Sequence, residues 1–348
     1  MEIYNSKTYT LDLERAIKSS VGIEEMHGKT ILITGATGTI GSFLVDMFLQ
    51  YNKCGADIHI YASGRGIERL KKRFGSVKTE HLDFVEYDTL VPITFDFHVD
   101  YIIHAAGNAH PTAFNSDPVG TIVGNVNGTY NLLNYALEHG TIKFCYISSG
   151  EVYGQGDISL EAFDESYCGY IDPTSPRSSY PTSKRTTENL CASYSAQFGL
   201  HTVIVRPCHT YGPGMTDSDS RANVQFLRNA MNGEDIVLNS TGIQMRSYCY
   251  VADCASAIVT CLLNGEKGQA YNSASPNAVT TIAGLAEIIA KHVGQQVIFK
   301  IPNTDDIANR SPVAKQVLSS VKVEALGWRG IYSVEEGIRH TLMILRGE

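Results

Sequence analysis

A tyrosine and a lysine four residues apart, Tyr180 and Lys184, open the stretch YPTSKRTTENLCASYSAQFG, which reads as helix. Four residues is about one helical turn, so the phenol and the ammonium share a face. A phenol titrating near about 10 is a poor base at neutral pH, and a neighbouring ammonium favours the phenolate and lowers that value. Ser149 ends the preceding strand-like run, KFCYISS, and can hydrogen-bond the same substrate hydroxyl. Such a trio takes a proton from a secondary alcohol while a hydride leaves its carbon. A partner for the hydride is indicated by Gly35, Gly38 and Gly41, spaced G-x-x-G-x-x-G between the strand-like KTILIT and the helical SFLVDMFLQYN. In that context the first glycine permits a tight turn and the second lets backbone approach a pyrophosphate at the helix N-terminus. The third lets helix and strand pack closely.

The elements that must hold these residues alternate. KTILIT, DIHIYAS, FVEYD, VDYIIHAAG, IKFCYISS and HTVIVRP read as strands, with helical patterns such as IERLKKRF and NVNGTYNLLNYALEHG among them. Unbroken apolar strands alternating with helices mean parallel pairing buried on both faces. The expected fold is therefore α/β, a Rossmann-type doubly wound parallel sheet. After about residue 207 the rhythm loosens into the polar loop YGPGMTDSDS, the helix NVQFLRNAMNG, the short strand DIVLN, a strand and helix in RSYCYVADCASAIVTCLL with Asp253 opening the helix, and the Thr-capped helix TTIAGLAEIIAKHVG. These predict a smaller C-terminal α/β substrate-binding domain. The expected division is an N-terminal extension over 1–28, a dinucleotide-binding domain over 29–206, and a substrate domain over 207–348, with about 246–263 returning to the first domain. Within the extension Thr10 is placed to cap a short helix, LDLERAIKSS.

Composition narrows the function. The 348 residues are 43% apolar and 18% charged, enough for a large core and against disorder. A formal charge of −8 with no basic run argues against nucleic acid and anionic membranes as partners. The eight cysteines contain no C-x-x-C pair and several sit in apolar runs, as expected of buried thiols in a reducing compartment, with no metal site implied. No run of 18 apolar residues and no signal-peptide core is present, so a cytoplasmic protein is expected.

The glycine spacing, with Tyr180-x-x-x-Lys184 after Ser149, resembles the short-chain dehydrogenase/reductase superfamily. That resemblance implies cofactor contacts from Thr37, Thr39 and Ile40 within the turn, from Asp88 to the adenine, and from Ala105, Ala106, Gly107 and Pro207. It also implies a structural role for Asn125. An acidic residue ending the second strand would bind the ribose 2′-hydroxyl of NAD, whereas this chain reads Tyr61-Ala62-Ser63-Gly64-Arg65. Arg65 could meet the 2′-phosphate of NADP or simply be solvated. NAD is the cofactor the resemblance implies, with NADP as the alternative.

SSGEVYG, RPCHTYGPG and RSYCYVADCASAI resemble the extended branch of that superfamily, the nucleotide-sugar epimerases, dehydratases and decarboxylases, over about residues 29–265. Glu151 matches a glutamate of 4,6-dehydratases and UDP-glucuronate decarboxylases, where a carboxylate can handle the C5 proton once C4 is a ketone. Gly150 departs from the dTDP-glucose dehydratases, which carry an aspartate there. The stretch MTDSDSRANVQFLRNAMNGE resembles the decarboxylases with Asp219, Arg221 and Phe226 in register, and Arg246 matches another of their arginines. Arg221 and Arg246 are thus implied as contacts to an anionic substrate, and His209 stands where the family has an asparagine. The resemblance implies an enzyme working through a 4-keto-sugar, most like UDP-glucuronate decarboxylases. A 4-epimerase or 4,6-dehydratase is the near alternative, and a 4-ketosugar reductase or a catalytically silent dinucleotide sensor the further one. It also implies a homodimer through a four-helix bundle of the Tyr180–Phe198 and Asn125–His139 stretches.

Overall fold

A computed structural model describes residues 3–107, 109, 111–216, 219–300 and 313–348. Asp217 and Ser218 of the polar loop, and residues 301–312, lie outside the described residues. The strands are β1 (Thr30–Thr34), β2 (His59–Gly64), β3 (Leu82–Glu86), β4 (Tyr101–His104), β5 (Lys143–Ile147), β6 (Thr202–Pro207), β7 (His209–Tyr211), β8 (Ile236–Leu238), β9 (Met245–Tyr250), β10 (Ala270–Ser273), β11 (Val279–Thr281), β12 (Val297–Phe299) and β13 (Lys315–Gln316). The helices are α1 (Lys7–Ser19), α2 (Thr39–Asn52), α3 (Ile67–Phe74), α4 (Pro111–Ser116), α5 (Pro118–Glu138), α6 (Ser179–Phe198), α7 (Ala222–Met231), α8 (Val251–Asn264), α9 (Ile282–Val293), α10 (Val321–Ala325) and α11 (Val334–Arg346).

Seven strands form one all-parallel sheet in the order β10-β6-β5-β4-β1-β2-β3. Alternate residues of each inner strand feed different layers. In β5, Cys145 and Ile147 join the core beneath α2 and α8, while Phe144 and Tyr146 join the core beneath α5 and α6. Both faces are covered, which is why these strands read as unbroken apolar runs. The strand order reverses between β1 and β4, and a crevice opens there at the carboxyl ends of the strands. The C-terminal material adds a four-stranded sheet around β9, with β11 antiparallel and β7 and β13 parallel to it, and a parallel pair of β8 and β12.

α8 packs on β5 and β6 and β10 joins the large sheet, whereas β9 lies in the small sheet. Two expectations shift. Asp253 does not cap α8. The helix begins two residues earlier, and the buried Asp253 carboxylate accepts the backbone N–H groups of Ile331 and Tyr332. In the N-terminal extension the helix starts at Lys7 and its cap is Ser6, whose hydroxyl accepts from the Tyr9 N–H at 3.2 Å. The extension lies against α2, α8 and α11. Asp12 of α1, fully buried, accepts from the Tyr250 and Tyr332 hydroxyls at 2.6 Å each and from His340 Nδ1 at 2.7 Å. Tyr9 and Tyr4 both donate to the buried Asp46 of α2, which is ion-paired with Arg73.

Candidate active site

β1 ends at Thr34 and the chain reverses at Gly35 with φ +69, where a Cβ would lie 2.6 Å from the Ala105 carbonyl oxygen. A Cβ on Gly41, in the first turn of α2, would lie 2.3 Å from the Gly35 carbonyl oxygen, so turn and helix touch through backbone. Gly38 occupies the N-cap of α2 with no side-chain cap and no acidic residue in the first turn. The partial positive charge of that helix end is therefore free for an anion. Two clefts of about 260 and 250 Å³ meet here, sharing Gly35, Gly38, Ala105, Gly107 and Thr216. One arm is lined by Thr37, Arg65, Asp88, Ala106 and Asn125. The other is lined by Thr39, Ile40, Gly41, Ser149, Glu151, Tyr180, Lys184, Pro207, His209 and Arg221. Asn125, buried in α5, donates through Nδ2 to Ser183 Oγ at 2.9 Å and so ties the floor of the groove to α6.

Ser149 follows β5 and caps a short 3-10 turn, Gly150–Tyr153, its hydroxyl accepting from the Glu151 N–H at 3.1 Å. Tyr180 is the second residue of α6 and is 5% exposed. Burial pushes its phenol up to about 12, the Ser149 hydroxyl pulls it down, the Glu151 carboxylate raises it and Arg221 lowers it. Burial pushes the Lys184 ammonium down to about 8, against the opposing pull of Glu188. Lys184 Nζ donates to the Ile147 carbonyl at 2.7 Å and lies 5.8 Å from the centre of the Tyr180 ring. Desolvation is thus the largest influence on the phenol in this arrangement, and the lysine, one helical turn along, is held on the end of β5.

The remaining residues are placed unequally. Glu151 faces Arg177 at 3.8 Å, both side chains being part-exposed. His209 lies partly open to the cleft, and burial with the charges of Arg246 and Arg221 pushes its imidazole down to about 3, so it is neutral near pH 7. Arg221 lines the cleft but its guanidinium is already forked onto Asp219, with Nε at 3.0 Å and Nη2 at 2.6 Å. Arg246 is not among the described residues that line the cleft. It is 3% exposed, with Nη1 on the Met245 carbonyl and Nη2 on the Val313 carbonyl, although its charge still reaches Glu151 and His209. β9 carries that side chain into the joint with the segment before β13.

Four neighbours escaped the sequence reading. Phe114 stacks on Tyr180 with centroids 5.1 Å apart and 13° between planes, and Arg177 covers Phe114 at 4.7 Å. Arg177 precedes Tyr180 by three residues and could have been found from that spacing. Glu188, one turn beyond Lys184 in α6, accepts from Arg206 and from the Ser148 hydroxyl. Gln316 of β13 donates to the Gly150 carbonyl at 2.7 Å across 166 residues, a pairing with no local signal. Among the described residues no group of three or more His, Cys, Asp or Glu could hold a metal ion, and no helix is long and apolar enough to cross a membrane.

The parallel sheet with its glycine turn beside the strand-order reversal defines the Rossmann-type dinucleotide-binding class. Within that class the chain belongs to the NAD dependent epimerase/dehydratase family, whose profile matches residues 31–274. UDP-glucuronic acid decarboxylase 6 of Arabidopsis thaliana is 34% identical over 313 residues, covering 88% of this chain and 86% of its own. UDP-glucuronic acid decarboxylase 1 of Xenopus tropicalis is 29% identical over 328 residues, covering 94% and 74%. Among solved structures, DesIV, a dTDP-glucose 4,6-dehydratase from Streptomyces venezuelae with NAD and TYD bound, superposes with a TM-score of 0.75 at 25% identity, covering 91% of this chain and 97% of that one. UDP-glucose 4-epimerase from Thermotoga maritima, solved with UDP-glucose, has a TM-score of 0.75 at 22% identity, covering 91% and 98%. The residues present fit the family's dinucleotide. The uncapped end of α2 suits the diphosphate, and at Gly35, Gly38 and Gly41 the turn presents backbone with no side chain.

Proposed function

We propose that this chain decarboxylates a nucleotide-linked hexuronate, with UDP-glucuronate as the substrate indicated by its relatives. The observation that carries this reading is Glu151 lining the same cleft as Ser149, Tyr180 and Lys184, with a glycine, not an acid, before it. A dehydratase needs a proton donor for its leaving hydroxyl, and Gly150 cannot supply one. A Cβ there would already meet Leu318, the Pro207 carbonyl and Gln316 at 3.3–3.5 Å.

Tyr180 Oη and Ser149 Oγ would hold the sugar 4-hydroxyl between them, and the phenolate form of Tyr180 takes its proton. NAD, when bound, supplies the hydride acceptor for C4 and later the donor. With C4 a ketone, the uronate is a β-keto acid. The C5–C6 bond breaks, carbon dioxide leaves, and the electron pair is held as an enolate across C4 and C5. Glu151 would direct the proton that C5 regains, with Arg177 beside its carboxylate. Tyr180 then returns its proton to O4. The family's use of NAD requires no external reductant on this route. Incubation with UDP-glucuronate should yield carbon dioxide and a UDP-pentose. A product with all six sugar carbons, or no product, would overturn the proposal.

The same reading includes a homodimer in the cytoplasm. α5 packs on α6 and leaves Val119, Ile122, Val123, Tyr130 and Leu137 exposed, with Phe198 of α6 also exposed, a surface suited to pairing with a second copy. All eight cysteines are free, as a reducing compartment would keep them.

A further inference from the structure

The turn that carries Ser149 and Glu151 is gripped by a strand that lies far from it in sequence. β13 runs along β9 with Gln316 in register with Arg246. The residues just beyond are bonded on both flanks. The Phe163 N–H donates to the Val317 carbonyl at 2.8 Å, and the Ser319 N–H to the Phe163 carbonyl at 2.9 Å. The Leu318 N–H donates to Ser247 Oγ at 3.0 Å. The backbone beneath Gln316 is thereby fixed. Its side chain lines the cleft, with the residue 7% exposed and Nε2 donating to the Gly150 carbonyl at 2.7 Å. That carbonyl belongs to the same peptide unit as the Glu151 N–H, which donates to Ser149 Oγ at 3.1 Å. One peptide plane is therefore held at its oxygen by Gln316 and at its nitrogen by Ser149. Glycine at 150 offers little resistance of its own to rotation of that plane.

The orientation of the plane decides what the Ser149 hydroxyl can do. A hydroxyl has a single proton to donate and lone pairs with which to accept. With a lone pair engaged by the Glu151 N–H, its proton is left for the Tyr180 oxygen that it also bonds, or for the oxygen of a substrate alcohol. A donor in that place favours the ionised phenol. Turned over, the plane would present the Gly150 carbonyl to Ser149. That carbonyl would take the hydroxyl proton and leave Tyr180 facing lone pairs, which favours the neutral phenol. We propose that Gln316 is a positioning residue: by holding the Gly150 carbonyl, it keeps the Ser149 hydroxyl aimed as a donor at the phenol and the substrate oxygen. It acts through the peptide and Ser149. The proposal rests on the alcohol-oxidising step of the reading above and not on the fate of the carboxylate.

Q316M keeps the length of the side chain and removes the donor. Amide hydrogen exchange of the full chain should show Glu151 exchanging at least about fivefold faster in Q316M, the weight of one neutral hydrogen bond. Cys145 and Tyr146 of β5 should be unchanged. In turnover Q316M should lower kcat by about tenfold or more while KM stays within about threefold. The S149A/Q316M double variant should be slower than S149A by no more than about twofold, because the glutamine acts through that hydroxyl. An equal loss from Q316M in both backgrounds would make Gln316 a packing residue and overturn the proposal. An unchanged Glu151 amide in a variant whose melting curve shows it folded would do the same. Q316N, a methylene short of the carbonyl, should give the same exchange and rate changes, so the test stands if Q316M does not fold. Failure of wild-type protein to convert UDP-glucuronate would overturn the decarboxylase reading alone. The kinetic comparison would then use the nucleotide-sugar that it does convert, and the exchange comparison needs no substrate.

Discussion

Tyr180 and Lys184 are displaced in opposite directions by the same cause. Burial costs the charged form of each, raising the phenol to about 12 and lowering the ammonium to about 8. The lysine is consequently the group that titrates near working pH. Below about 8 it is charged and supports a phenolate on its helical neighbour. Above that value it is neutral and the support is gone. The alkaline limb of kcat/KM is therefore expected near pH 8, and Lys184→Arg, whose guanidinium stays charged, should abolish that limb even if the rate falls. An unchanged limb in the arginine variant would assign it to another group. Phe114 and Arg177 complete the layer above the phenol, so that ring, guanidinium and the Glu151 carboxylate form one continuous stack at the mouth of the cleft.

At the scale of elements, β4 delivers His104 into a fully buried place beside β1. Its Nδ1 shares a 2.7 Å hydrogen bond with the Thr34 hydroxyl, while Nε2 has no partner among the described residues. Burial, with the charge of Lys184, pushes this imidazole down to about 3. The unfolded value lies near about 6.5, so the unfolded chain takes up a proton at a pH where the folded one does not. Stability from this residue is complete above about 6.5 and falls as pH drops toward 3, by about 2 kcal/mol at pH 5. Urea unfolding at pH 7 and pH 5 should show that loss in wild-type protein, and a His104 substitution that folds should lessen it. The strand–turn–helix of β1 and α2, the parallel sheet and the start of α6 were legible because their signals are local: apolar runs, glycine spacing and helical periodicity. The cap of α1 was not. Ser6 and Thr10 are both competent capping residues, and the choice is made by Tyr9 reaching the distant Asp46. Asp253 misled for a similar reason. It has the residue type for a local capping role, but is taken up by backbone groups far along the chain.

At the scale of the whole molecule, two surfaces matter. The outer face of α5 leaves Tyr130 48% exposed beside Val123, and the proposed dimer would cover both. Wild-type protein should run at twice the monomer mass in light scattering, and V123E/Y130E at the monomer mass. A monomeric wild type would remove the dimer. The inner joint is Asp12, whose partners come from β9, from the turn before α11 and from α11 itself. Asp12→Ala leaves two hydroxyls and an imidazole buried without their acceptor, at about 1–3 kcal/mol each, so a loss of at least about 3 kcal/mol in urea unfolding is expected. Those partners stand 238, 320 and 328 residues downstream. A nascent chain emerging from the ribosome will have made the whole glycine turn and most of the large sheet long before the acceptor in its first helix can be satisfied. The earliest-made helix is thus among the last to be locked, and premature termination would leave a buried carboxylate seeking donors that were never synthesised.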